Sequence, residues 1–229
     1  MRSICTCAVL AAAAIFGATA SAGTVATVII EGQSYEMASF MVDGEFRLVP
    51  AVYTFGTTTV EALETPRDAS AAMAYGIAVT DFGAPSAFSF VFSMPITLDP
   101  GATSISSSIV GGMTDFTGNG VGVFTTGGNA TLQRSHVSMP DFNLGVDVGG
   151  DQSYGPGLAG ANYTYGPVAT GPVAGPDLSG YGTLTMYLDF AASGDGDVIV
   201  LTGFTEIIVP APASLALLGG LGLIARRRR

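Results

Sequence analysis

The feature that most restricts the fold of this chain is a two-residue alternation recurring along it in short runs. In Ala87 to Ser93, Phe88, Phe90 and Phe92 fall on one face and Ser89, Val91 and Ser93 on the other. Farther on, Leu184, Met186, Leu188 and Phe190 alternate with Thr183, Thr185, Tyr187 and Asp189. Successive side chains point to opposite sides in a β-strand, so this period specifies half-buried strands and not helices. Similar runs occur at Thr24–Glu31, Tyr35–Val42, Phe46–Tyr53, Met73–Phe82, Ser104–Val110, Val121–Thr125, Thr131–Ser138, Phe142–Val148 and Val198–Val209. Glycine or proline breaks them at intervals of about ten residues, the spacing of an antiparallel β-sandwich of jelly-roll type. Two such sheets stacked face to face bury the phenylalanine stripes, so the aromatic positions read first as core.

Two segments depart from this rhythm. Thr65 precedes Pro66 and is followed three residues later by Asp68, a helix start with a capping hydroxyl and a proline in the first turn. This predicts a short helical connector over Pro66 to Met73. Between Gly149 and Gly180, glycine and proline recur too often for a regular strand, which predicts a long loop. Long loops inside compact domains are functional or mobile, and Tyr154, Tyr163 and Tyr165 make this one the expected contact surface.

The two ends of the chain carry processing signals. At the front, Arg2, an apolar stretch from Ala8 to Ala18, and Ala20-Ser21-Ala22 before Gly23 compose a signal peptide over residues 1–22, with Ala20, Ala22 and Gly23 marking the cleavage site. Its apolar run falls well below the roughly 20 residues that span a bilayer. Both cysteines, Cys5 and Cys7, lie inside it, so processing leaves no cysteine and no thiol chemistry. At the far end, residues 209–229, a proline-marked break at Val209-Pro210-Ala211-Pro212-Ala213 precedes a run of small and apolar residues from Ala213 to Ala225, and then Arg226, Arg227, Arg228 and Arg229. As a helix this run extends only about 20 Å against a hydrocarbon core of about 30 Å. Such a segment predicts a short hydrophobic helix inserted transiently, its arginines held on the cytoplasmic side.

The order of these parts resembles the PEP-CTERM sorting signal, a tail that in its family is recognised and removed by an exosortase. Ala211 stands where the commonest form of the motif has glutamate. The resemblance implies an exosortase-type partner, a membrane-inserted precursor, and a mature protein at the cell surface or in the extracellular matrix of a bacterium. Gly219-Gly220 offers a rival, a tail read by a rhomboid-type protease, although that pair lies inside the apolar stretch rather than before it.

Between the ends, residues 23–208 hold Arg47, Arg67 and Arg134 against all 18 acidic residues, a net charge of −15, with no lysine. A field of that sign repels phosphate backbones and anionic membranes, which excludes nucleic acid as a partner. The acids are scattered singly, the pattern of a solvated face. Catalytic vocabulary is thin. The one histidine, His136, falls in an expected strand, no G-x-S-x-G elbow is present, and a single histidine cannot build a zinc site. Asp195-Gly196-Asp197 is the nearest approach to a calcium turn, and more simply makes a hairpin before Val198. No cofactor is expected. Two readings remain: a non-enzymatic surface or matrix protein associated with exopolysaccharide, and a lectin-like carbohydrate-binding module in which tyrosines replace the absent tryptophan.

Overall fold

The structure is a computed structural model that describes residues 23–64, 72–98, 102–177 and 179–208. The expected signal peptide, the sorting tail, Thr65 and residues 66–71 of the predicted connector lie outside the described residues; Met73, its last position, opens a strand. No helix occurs among the described residues, and every element is a strand in one of two eight-stranded sheets.

The first sheet runs in the order β12 (Phe142–Val148), β11 (Gln133–Met139), β15 (Gly180–Ala192), β8 (Ala87–Leu98), β1 (Val25–Ile30) and β2 (Gln33–Glu36). There β10 (Val121–Thr125) pairs with β15 and with β13 (Gln152–Tyr154). The second sheet runs β14 (Ala161–Asp177), β9 (Ala102–Asp115), β16 (Asp197–Ile208), β7 (Met73–Asp81), β4 (Glu45–Leu48) and β3 (Ser39–Val42). Here β6 (Thr58–Ala62) pairs with β7 and with β5 (Ala51–Phe55). All pairings are antiparallel except a short parallel contact between β4 and β7.

The alternation dictates how the sheets meet. Phe88, Phe90 and Phe92 from β8 and Leu184, Met186, Leu188 and Phe190 from β15 are all buried, and they face Tyr75, Ile77 and Val79 of β7 and Ile199 and Leu201 of β16. Phe92 stacks on Tyr75 across the sheets at 5.1 Å between centroids, and Phe90 on Phe190 at 6.1 Å within the first sheet. Offset contacts at such distances add to burial, which for each phenylalanine contributes about 1.5–3 kcal/mol.

Three features differ from expectation. The runs Tyr35–Val42 and Phe46–Tyr53 are each split between two strands, because Met37 and Ala38 carry the chain from the first sheet to the second and Val49-Pro50 breaks the other run. The segment expected as a loop between Gly149 and Gly180 holds β13 and the seventeen-residue β14. Its prolines are tolerated because β14 lies at a sheet edge, where one side of the backbone needs no ladder partner. The register of β14 against β9 slips at Tyr165/Val168, Thr170/Val173 and Ala174/Asp177, so each glycine-proline pair is accommodated at an irregularity. The third feature is polar. Gln133, Ser135, Ser107 and Thr205, all buried, meet Tyr75 in the core. Tyr75 Oη donates to Gln133 Oε1 at 2.7 Å, Gln133 Nε2 donates to Ser107 Oγ at 2.5 Å, and Ser135 Oγ lies 2.7 Å from Thr205 Oγ1. This network ties β11 of the first sheet to β7, β9 and β16 of the second.

Candidate functional site

The predicted contact tyrosines are brought together, but as a seam. Tyr154 on β13 and Tyr163 on β14 stack at 4.2 Å with 15° between their planes, joining the two sheets along one open edge. Tyr165 is buried beside them; its hydroxyl accepts from the Gly150 N–H and donates to the Gly150 carbonyl, both at 3.0 Å. Burial pushes that hydroxyl above the ordinary tyrosine range.

Asp195 and Asp197 sit in the β15–β16 hairpin, Asp195 in the left-handed region at φ 58°. Asp195 accepts from Asn119 Nδ2 at 2.8 Å. Asp197 is buried and accepts from Ser193 Oγ at 2.5 Å and from the Phe116 N–H at 3.3 Å. It stands opposite Asp81 in the ladder, and the pairing of Val198 with Thr114 puts it beside Asp115 on its other flank. Asp115 in turn accepts from the Gly118 and Gly120 N–H groups at 2.6 and 2.9 Å. Burial raises the Asp197 carboxyl pKa, and the charges of Asp115 and Asp195 add to the effect. Among the described residues no three His, Cys, Asp or Glu side chains are grouped so as to hold a metal ion. These aspartates are spent on fastening the turns at one end of the sandwich.

The chemistry-bearing surface that the structure assembles is the outer face of the first sheet. Along β15 the residues opposite the core stripe are Tyr181, Thr183, Thr185, Tyr187 and Asp189. Arg134 of β11 is the direct neighbour of Tyr187 and of Asp147 on β12. Its guanidinium lies 5.2 Å from the Tyr187 ring centroid and pairs with Asp189 at 2.5 Å. Asp189 also accepts from Ser89 Oγ of β8 at 2.5 Å. Both interactions fix Arg134 in place, the first as a cation–π contact and the second as a charge-assisted hydrogen bond.

His136, two residues along, meets the edge of Tyr187 at 6.1 Å and 78°. It covers Gly145 of β12, where a Cβ would stand 2.9 Å from its Nδ1. A glycine there is what lets the imidazole lie against the sheet. Ser93 and Thr185 pair their hydroxyls at 3.3 Å, and Tyr181, at the opposite end of the row from Asp189, is 84% exposed. The six residue steps from Tyr181 to Tyr187 span about 20 Å along the strand. The face is therefore a strand-long row of hydroxyls with a tyrosine at each end and an Arg–Asp–His group beside one of them. The alternation in the sequence already separated Thr183, Thr185, Tyr187 and Asp189 from the core stripe; what it did not supply was the register that brings Arg134, His136 and Ser89 to them.

No protein-family model matches the chain, and no curated protein matches it. Among solved structures it is similar to TmCBM61, determined in complex with beta-1,4-galactotriose, at 14% identity over 66% of this chain and 81% of that one, with a TM-score of 0.28. A superposition that loose identifies neither fold family nor ligand.

Proposed function

We propose that this chain is an exported, non-enzymatic domain, delivered to the cell surface or matrix by its two processed ends, that holds polysaccharide there in the manner of a lectin. The observation that carries the reading is the outer face of the first sheet. A tyrosine exposed at one end, a tyrosine held by Arg134 and His136 at the other, and hydroxyls between them offer apolar ring faces and hydrogen-bond partners together, which suits a chain of sugar rings. The strand succession supports it: β7-β16-β9-β14 facing β8-β15-β11-β12 is the order of a double Greek-key jelly roll, an architecture used by lectin domains. The acidic charge favours neutral over anionic polymers.

Export rests on the signal peptide and Ala20-Ser21-Ala22, and surface sorting on Val209 to Ala213 and Arg226 to Arg229, with an exosortase-type enzyme as the processing partner and a membrane-inserted precursor. The test has two arms. Full-length chain passed over neutral polysaccharide columns is retained, and Tyr181→Ala combined with Tyr187→Ala shortens retention; no retention with or without calcium refutes the lectin reading. Mass spectrometry of the protein from its own cells finds Gly23 first and the four arginines gone; a mature form that keeps Arg229 refutes the sorting reading.

A further inference from the structure

At the end of the sandwich that carries the β1–β2, β5–β6, β7–β8 and β15–β16 turns, the two sheets part and leave a cleft of about 390 Å³. That volume lies within the range of about 300–1,000 Å³ over which small-molecule sites occur. One wall is the β1–β2 hairpin with Glu31, Gln33 and Tyr35, and the other is the β5–β6 hairpin with Phe55, Thr57 and Thr58. Glu31 and Gly32 both take positive φ, 50° and 76°, which gives this two-residue turn the twist favoured in hairpins and leaves the Glu31 carboxylate exposed at the rim.

The aromatic part of the lining is fixed. Tyr35 and Phe55 lie 4.3 Å apart between centroids at 48°, both half-buried against the core. The Tyr35 hydroxyl donates to Gln33 Oε1 at 2.5 Å. Beneath Thr58 lies a fully buried carboxylate: Thr58 Oγ1 donates to Asp81 Oδ1 at 3.2 Å, while Asp81 Oδ2 has no hydrogen-bond partner among the described residues. Native structures rarely leave a buried acceptor unused.

We infer that this cleft binds one neutral sugar residue, with its C–H face against the Tyr35–Phe55 wall and its hydroxyl groups donating to Glu31 and to the polar lining. The inference deepens the lectin reading and rests on it. The chemistry narrows the ligand: no cation lines the cleft among the described residues, Glu31 is at its rim and Asp81 under its floor, so an anionic ligand is disfavoured. A ligand rich in hydroxyl donors that also presents an apolar face satisfies both walls. The cleft lies at a sheet end, apart from the Tyr181–Tyr187 row, so the two surfaces are separable by mutation.

The experiment titrates full-length chain with cellotriose, maltotriose and xylotriose by calorimetry, comparing the parent with Tyr35→Ala, Tyr35→Phe, Glu31→Gln and Tyr181→Ala. For the trisaccharide that binds, Tyr35→Ala weakens affinity about tenfold or more and Glu31→Gln severalfold, the scale of losing an anchoring ring or a charged acceptor. Tyr35→Phe keeps the ring and stays close to the parent, which separates loss of the wall from loss of the fold, and the loss on Tyr35→Ala is of the same size in a Tyr181→Ala background, which separates the cleft from the outer-face row. If the parent binds and both Tyr35→Ala and Glu31→Gln bind as it does, or if only Tyr181→Ala loses binding, the cleft is not the site. Retention of the parent on polysaccharide columns without binding of any trisaccharide also overturns the cleft, while leaving the lectin reading intact. Failure of the parent in both assays overturns the two together. Displacement of the sugar by a small diamine, but not by excess competing sugar, overturns the sugar assignment.

Discussion

The buried bond between Tyr75 and Gln133 is the place where a single atom tests how the two sheets are held. Tyr75→Phe removes only the hydroxyl, leaving Gln133 Oε1 in the core without its 2.7 Å donor. An orphaned buried acceptor costs about 1–3 kcal/mol, and in a domain of this size each kcal/mol lowers the melting temperature by about 2–4 °C. Burial, followed by the proximity of Tyr165, holds the Tyr75 hydroxyl well above its ordinary pKa, so it stays protonated and donates throughout the working range. Gln133→Leu is the complementary change; it strands the Tyr75 hydroxyl and removes the donor to Ser107 Oγ and to the Ser108 carbonyl, and is expected to cost more than Tyr75→Phe. The double variant carries neither orphan of the Tyr75–Gln133 bond. Its destabilisation is therefore smaller than the sum of the single losses, by about 1 kcal/mol or more. Urea unfolding of the parent, both single variants and the double variant closes the cycle. Strict additivity would refute the claim that this bond is made in the folded protein.

Two further outcomes follow from the same interior. Gly203 of β16 faces that network: an added Cβ would overlap Gln133 Oε1 and come 2.5 Å from the Tyr75 ring, so Gly203→Ala should destabilise by about 1–3 kcal/mol, read as a lower urea midpoint. The Asp197 carboxyl, raised by burial and by its acidic neighbours, contributes stability that is complete below the ordinary aspartate pKa and is lost as pH rises through its folded value. Asp197→Asn should therefore compare better with the parent at about pH 7 than at about pH 4, and an unfolding series showing the reverse order would disprove it.

The strands were the legible part of this molecule. Phe88, Phe90 and Phe92 announce their strand because alternation is local and burial on one face rewards it. The Gly149–Gly180 segment did not announce β14, since its glycines and prolines break the local pattern while the edge position, which a single segment cannot reveal, makes them acceptable. Gln133 and Ser135 look like solvent-facing residues in a strand, yet they point inward to partners at least 25 residues away along the chain. The tyrosines of the supposed contact loop were read from composition, which cannot tell a seam from a surface. Both surfaces proposed for sugar depend on register: Arg134 meets Tyr187 because β11 pairs with β15, and Tyr35 meets Phe55 because hairpins of different sheets converge.

The place of β16 has a mechanical meaning. It lies between β7 and β9, paired on both sides along most of its length, and it runs from the turn end at Asp197 to Ile208 at the opposite end, where the chain leaves toward residue 209. A pull on the chain at Ile208, resisted by anything gripped at the turn end, acts along the strand and across hydrogen bonds that lie perpendicular to it. Those bonds are loaded together in shear instead of being peeled apart one after another. A tether attached there would draw on the strength of two whole ladders at once.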